Sequence, residues 1–336
     1  MAATYKDIQR LTGLSLSTIS KYFNGGNVLD ENRKAIERAA AGLKFRMNDY
    51  ARGLKSRRSK TIGILIPELS STFHTSIITD VEDILRRNGY GTIVCDSRLD
   101  KQVEREALAF LLGKMVDGII AIPFDKTGEF LKLAGDRNVP VVLIDRLATD
   151  YRTDAVIVDN FGAAEMAARE FVENGHQRIA MLCGPEGIFT MKSRMEGFQK
   201  ALLKNHVKLN SEYFISEEMT IGGGHEGVGR LLRLQDPPTA LFCANYEITL
   251  GAIIALHEAA VKIPDDLSVI GFDNILLAKV IQPSLTMIVQ PMREIAENAA
   301  RMMLDRLESE KIGGIKIIEL SAGITRGQSV RKLQLT

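Results

Sequence analysis

From Thr61 onward, short runs of β-branched and other apolar residues alternate with helical stretches, and this alternation constrains the fold more than any other feature. The first series is T-I-G-I-L-I-P (61–67), G-T-I-V-C-D-S (91–97), G-I-I-A-I-P (118–123), P-V-V-L-I-D (140–145) and A-V-I-V-D (155–159). The second is R-I-A-M-L-C-G (178–184), T-A-L-F-C-A-N (239–245) and L-S-V-I-G-F-D (267–273). Runs that are apolar nearly throughout suit strands covered on both faces, as in a parallel sheet. Helical intervals between them make βαβ units. Two series predict two doubly wound lobes, with a ligand cleft at the carboxyl ends of their strands. A chain of 336 residues is also too long for one ordinary core.

The first 60 residues read differently. Residues 3–24, A-T-Y-K-D-I-Q-R-L-T-G-L-S-L-S-T-I-S-K-Y-F-N, predict a helix, a tight turn at Gly13 and a second short helix. Thr4 is placed to cap the first helix, whose apolar face is Tyr5, Ile8 and Leu11. Ser15 caps the second, with Ile19 and Tyr22 or Phe23 inward and Leu16, Ser17, Ser20 and Lys21 outward. This is a helix-turn-helix pattern, whose second helix enters the DNA major groove. Residues 28–45 predict a third helix, capped by Asp30 or Asn32, with Ile36, Ala39, Ala40 and Leu43 as its inner stripe. Charge follows the same division. Residues 1–60 carry 13 basic and 5 acidic residues, a net of +8, and the remainder carries 30 basic and 37 acidic, a net of −7. A small basic head on an acidic body is the electrostatic footprint of nucleic-acid binding. Between them, residues 48–60 form a polar, basic linker in which Leu54 stands among Lys55, Arg57 and Arg58. An isolated Leu among cations suggests a wedge for the minor groove, with the segment folding on DNA.

Several chemistries find no support. There is no phosphate-loop G-K-[ST] ending, no H-E-x-x-H and no G-x-S-x-G, and the five histidines lack metal-ligand spacing. No catalytic residue, metal or cofactor is expected. Gly222-Gly223-Gly224-His225-Glu226-Gly227 matches G-x-G-x-x-G in form but follows no strand, and is read as a flexible helix start. No apolar run is long enough to span a membrane, and the N-terminus has no signal-peptide core. Cys95, Cys183 and Cys243 lie in strand-like runs, which predicts buried free thiols in a reducing cytosol. The strand ends are rich in polar groups: Ser70 to His74, Asp96-Ser97, Asp145-Arg146, Asp159-Asn160, Asn245 and Asp273, with Arg194 nearby in sequence to the 178–184 run. Carboxylates and a guanidinium together suit the adjacent hydroxyls of a sugar or polyol.

At this point the chain resembles the LacI/GalR family of bacterial transcription repressors. The resemblance is carried by Gly13-Leu14-Ser15, Thr18-Ile19-Ser20 and Asn24 in the head, and by Asn48, Ala51-Arg52 and Leu54 in the linker. In the body it is carried by Asn174-Gly175-His176, Arg178-Ile179-Ala180, Gly184-Pro185, Arg194 to Phe198, Pro238-Thr239-Ala240, Gly271 to Asn274 and Gln290-Pro291. It implies an all-α helix-turn-helix head (1–46), a hinge (47–60) and a two-lobed α/β effector-binding and dimerisation domain of periplasmic-binding-protein type (61–336). Lobe 1 would hold about 61–160 and 291–320, and lobe 2 about 161–289 and 321–330. Base reading falls on Leu16, Ser17 and Lys21, and the minor-groove wedge on Leu54 with Lys55 beside it. Thr4, Ser15, Thr18, Ser20, Asn24, Arg52 and Arg57 complete the DNA-facing set. Effector contacts fall on Phe73, Asp145, Phe189, Arg194, Asn245 and Asp273. Lys21 stands where Arg is usual, Met47 where proline is common, Tyr246 where Asp is frequent, and Met219 near a frequent stacking aromatic. The implied molecule is a cytoplasmic, nucleoid-associated homodimer on a pseudo-palindromic operator, controlled by a small effector, a sugar or sugar derivative. The rival readings are a sugar-binding protein or enzyme on the same body, and a regulator controlled by a protein partner.

Overall fold

The computed structural model describes residues 3–23, 26–45, 58–273, 275–309 and 313–333. Two compact units are present, Met1–Ser59 and Lys60–Thr336.

The first unit contains α1 (Tyr5–Thr12), α2 (Leu16–Phe23) and α3 (Asp30–Gly42). The Thr4 N–H and hydroxyl both donate to the Asp7 carboxylate, at 2.9 and 2.8 Å, and fix the start of α1. Gly13, at φ +70°, ends it in a conformation that a Cβ would penalise. Ser15 Oγ accepts the Thr18 N–H at 3.1 Å and caps α2. Ile8, Ile19, Ile36 and Ala39 form the core, and Tyr5, Phe23 and Phe45 cluster on it with centroids 5.1–5.6 Å apart. Leu11 does not join them: it is 63% exposed, because the turn at Gly13 brings Leu14 onto the core in its place. The cap of α3 is Leu29; Asp30 is already inside the first turn, where a carboxylate favours the helix N-terminus.

The second unit holds two six-stranded sheets. One comprises β1 (Thr61–Ile66), β2 (Gly91–Asp96), β3 (Gly118–Ala121), β4 (Val141–Ile144), β5 (Asp154–Val158) and β11 (Ile317–Leu320), in the order β11-β5-β4-β3-β1-β2. The other comprises β6 (Ile179–Cys183), β7 (Phe214–Ser216), β8 (Ala240–Cys243), β9 (Ser268–Phe272), β10 (Thr286–Val289) and β12 (Gly323–Thr325), in the order β12-β10-β9-β8-β6-β7. Among the described residues β10 and β12 pair antiparallel and the other pairs are parallel. On the first sheet, α4 (Thr72–Arg87) and α12 (Met292–Glu308) cover one face and α5 (Lys101–Gly113), with the short α6 (Lys132–Gly135), the other. On the second, α7 (Asn160–Glu173) and α8 (Phe189–Lys204) oppose α9 (Ile221–Leu232) and α10 (Tyr246–Glu258), with α11 (Ile275–Val280) beyond. The chain passes between the lobes after β5, after β10 and between β11 and β12.

Four strands lie outside the runs read from sequence: β7, β10, β11 and β12. Three of these are sheet edges, and an edge strand needs no continuous apolar run. Conversely β2 was expected to be covered on both faces, yet it is an edge and Val94 is 37% exposed. Cys183 and Cys243 are buried and Cys95 is half-buried; all three are free. The glycines at 222–224 belong to α9 itself, and two of them are packing positions. A Cβ at Gly224 would collide with the Ile248 carbonyl and one at Gly251 with the Ile221 carbonyl, so glycine sets how closely α9 and α10 approach. No helix among the described residues is long and apolar enough to cross a membrane.

Candidate functional site

A cavity of about 430 Å³ opens at the carboxyl ends of the strands, between the two sheets. Its polar wall is built around Arg194, on the first half of α8 and only 3% exposed. Arg194 Nε donates to Asn160 Oδ1 at 2.7 Å and Nη1 donates to the Ala244 carbonyl. The guanidinium carbon lies 3.6 Å from the centre of the Phe272 ring. These contacts tie α8 to the start of α7 and to the ends of β8 and β9. Burial pulls the Arg194 pKa down, while the Asp273 and Asp145 charges act to hold the proton.

Asp273 follows β9 at φ +63°, and Asp145 follows β4 at φ +70°. Left-handed backbone is uncommon outside glycine, with Asp among the residues that tolerate it, and it concentrates at functional sites. Each residue directly follows its strand, and each lines the cavity. Gln290 Nε2 donates to both oxygens of Asp273, at 3.2 and 3.0 Å. Burial pushes the Asp273 carboxyl up to about 6 against the pull of Arg194 and Gln290. Asp145 instead accepts from Arg146 Nε at 3.0 Å. Asn245 caps α10 by accepting the Ile248 N–H at 3.0 Å, and its amide donates to Glu247 at 2.7 Å. Phe73 stands on α4 beside His74, whose Nδ1 lies 3.2 Å from the Glu68 carbonyl. Burial lowers the His74 pKa.

Phe73, Asp145, Arg194, Asn245 and Asp273 thus share one cavity. Phe189 does not: it is 45% exposed at the start of α8, and its neighbours Ile188 and Thr190 line the wall. One residue along a helix is a turn of about 100°, enough to move a side chain off the wall. Of the other strand-end groups, Asp159 caps α7 by accepting the Gly162 N–H at 2.8 Å, and Asp96 accepts from Leu69 and Arg98 N–H groups. Neither lines the cavity. Arg146, read from sequence as a strand-end group beside Asp145, does line it, and so do Glu68, Thr190, Glu247 and Gln290, which fall outside the effector set implied by the sequence. Gln290 had a signal, its place in the Gln290-Pro291 dipeptide; Glu68 and Glu247 had none. His176, also within the resemblance, is structural: its ring nitrogens face Thr239 Oγ1 at 3.0 Å and the Arg331 carbonyl at 3.1 Å, which pins the C-terminal segment.

In the head, Thr4, Ser15, Leu16, Ser17 and Lys21 are exposed, and Thr18 and Ser20 half-buried, with Ile19 beneath. Asn24, Arg52, Leu54, Lys55 and Arg57 lie outside the described residues. Among the described residues no group of His, Cys, Asp and Glu is placed to hold a metal ion.

Three helices with a turn at Gly13, and two parallel-sheet lobes around a polar cleft, define a class: regulators that carry a DNA-binding head and an effector-binding body. Residues 168–330 match the family model of a periplasmic binding protein-like domain. Catabolite control protein A of Priestia megaterium is 31% identical over 98% of this chain and 100% of its own length. The lac repressor dimer bound to operator and the anti-inducer ONPF has a TM-score of 0.88, at 23% identity over 98% of this chain and 100% of that one. A LacI family transcriptional regulator from Enterococcus faecium, solved with bound ribose, has a TM-score of 0.73 at 27% identity, covering 82% of this chain and 100% of its own. The chain belongs to the LacI/GalR family of transcriptional regulators. It is a ligand-responsive, DNA-binding repressor, and its relatives are regulators of transcription.

Proposed function

We propose that this repressor takes a sugar or sugar derivative between its lobes, through Arg194, Asn245 and Asp273 on one side and Phe73 and Asp145 on the other. The observation that carries this reading is the convergence of those five residues on one cavity. Its volume of about 430 Å³ is in the range of small-molecule sites. The Enterococcus faecium relative holding ribose supports the sugar class.

The domain plan is a head over 1–46, a hinge over 47–60 and an effector-binding, dimerising body over 61–336. Two heads of a homodimer bind a pseudo-palindromic operator. Leu16, Ser17 and Lys21 read bases; Thr4, Ser15, Thr18, Ser20, Asn24, Arg52 and Arg57 hold the backbone. Leu54, beside Lys55, wedges the central base step. The outward exposure of Leu16, Ser17 and Lys21 supports the base-reading part. The working place is the cytoplasm, on the nucleoid, and the molecule acts by binding, without catalysis. Effector binding shifts the lobes and so alters DNA affinity.

The test is operator binding by fluorescence anisotropy, at fixed salt, with a panel of sugars, sugar phosphates and purines. A sugar that changes operator affinity in wild type, and not in Asp273→Asn, supports the reading. A panel in which only purines act overturns the sugar class.

A further inference from the structure

The charge on the cavity wall is unbalanced. Five carboxyl groups, those of Glu68, Asp145, Glu218, Glu247 and Asp273, line it with two guanidiniums, those of Arg146 and Arg194. Arg146 is already paired with Asp145, and two donor nitrogens of Arg194 are committed to Asn160 and Ala244. His74 adds no charge at neutral pH, since burial lowers its pKa. The excess is therefore negative and rich in acceptors.

A second feature points the same way. Gln290 is 3% exposed and lines the cavity, and its amide nitrogen is fixed on Asp273. That fixes the orientation of the amide, and its Oε1 accepts no hydrogen bond among the described residues. A buried acceptor without a donor is costly, which adds an unmet acceptor beside the carboxylates at this end of the cavity. The cation that this wall favours is not a metal ion, because no ligand set for one exists among the described residues. The walls between the carboxylates are apolar, with Phe73, Phe124, Ile188, Met191 and Met219, which suits the faces of an organic ring.

Glu68 and Glu247 come from opposite lobes, Glu68 just after β1 and Glu247 at the start of α10. Burial pushes the Glu247 carboxyl up, and the Glu68 and Asp273 charges add to that rise. Two like charges facing each other across a cleft repel, and a cation between them draws both sides together.

We propose that the cleft selects an effector bearing a protonated amine beside its hydroxyl groups, an amino sugar in class, with the ammonium held between Glu68 and Glu247. This rests on the cleft being the effector site. The same charge excess rejects phosphorylated and carboxylated ligands. The ammonium offers three donors to the carboxylates, where a hydroxyl offers one.

The probes are D-glucosamine, D-galactosamine and D-mannosamine, their parent hexoses and the hexose 6-phosphates, titrated into the full chain by calorimetry. At least one amino sugar should bind about tenfold or more tightly than its parent hexose, as a charge-assisted hydrogen bond implies, and the 6-phosphates should give no binding heat. Glu68→Gln and Glu247→Gln should each erase that preference, so that within each variant the amino sugar binds no more tightly than its parent hexose. Both replacements keep side-chain volume, so thermal melting should remain a single transition near the wild-type temperature. A neutral or phosphorylated hexose that outbinds its amine overturns the amine inference and leaves the effector cleft standing. An amine preference that survives both Gln variants overturns the placement of the ammonium. Silence from all three classes overturns the sugar-cleft reading and this inference together.

Discussion

In the lobe around β6 to β10, the cavity residues are also framework residues. Arg194 joins α8 to Asn160 and Ala244, Asn245 caps α10, and Asp273 is locked to Gln290. In the lobe around β1 to β5, they are lightly tied: Asp145 pairs with its sequence neighbour Arg146, and Phe73 lies on the first turn of α4. One wall is thus cross-linked by hydrogen bonds between separate elements, while the other has an ion pair between sequence neighbours and a ring packed on its own lobe's core. The cores differ too. The first lobe packs isoleucine and valine against α4 and α12, whereas the second brings helix pairs together at glycines such as Gly197, Gly224 and Gly251. A residue that serves both site and scaffold cannot be altered for one purpose alone, and this contrast makes the lobes separable by mutation.

The largest effect is expected at Arg194. Arg194→Ala leaves Asn160 Oδ1 and the Ala244 carbonyl without their donor, and should lower stability by about 3 kcal/mol while abolishing effector binding. The urea midpoint reports this; a loss of binding with an unchanged midpoint would deny Arg194 its scaffold role. Next come the glycines. Gly251→Ala drives a methyl into the Ile221 carbonyl and should cost about 2 kcal/mol. Gly63→Ala in β1 meets only the Leu111 side chain, whose nearest atom is 3.0 Å away, and should cost under about 1 kcal/mol. Equal costs would mean the lobes are packed alike.

A subtler contrast is in pH. Asp154, in the first lobe, is pushed up by burial but held below its ordinary range overall by Arg306, which donates at 2.6 and 2.8 Å, and by the Lys316 N–H. Its stabilisation is present above 3.8, the unfolded value, and is lost as pH falls through the folded pKa. Asp273, in the second lobe, has the opposite sign. Its folded pKa is raised to about 6 from 3.8, so the folded state holds the extra proton, and stability from this group falls as pH rises from 3.8 to about 6. Melting temperatures of wild type and Asp273→Asn across that window should diverge, with the variant the flatter on the rising-pH side. Parallel curves would remove Asp273 as the source.

The smallest stability effect is expected at Asp145. Asparagine tolerates the same left-handed backbone, so Asp145→Asn should change stability by under about 1 kcal/mol yet weaken the effector about tenfold. If it unfolds the protein as readily as Arg194→Ala, the asymmetry between the lobes is wrong.

What the sequence determined by itself is whatever depends on neighbours along the chain. Apolar runs marked β1, β3 to β6, β8 and β9, since a strand buried on both faces must be apolar throughout, and they marked β2 as well, an edge strand without that burial. Thr4, Gly13 and Ser15 marked the ends of two helices, because caps are local chemistry. The rule that doubly wound sheets bind ligands beyond their strand ends brought Asp145, Asn245 and Asp273 into view. Tertiary structure decided the rest. Asp96 and Asp159 sit at strand ends with the same composition, but a loop and a helix N-terminus take up their oxygens. Phe189 and Thr190 differ by one helical step, and only packing sets which of them faces the cavity. The edge strands β7, β11 and β12 have no run of their own, because pairing with a neighbour defines them. Glu68 and Glu247 read as surface carboxylates in a linear chain. Only folding sets them on opposite sides of one cavity, since an electrostatic field sums over charges close in space, whatever their separation in sequence.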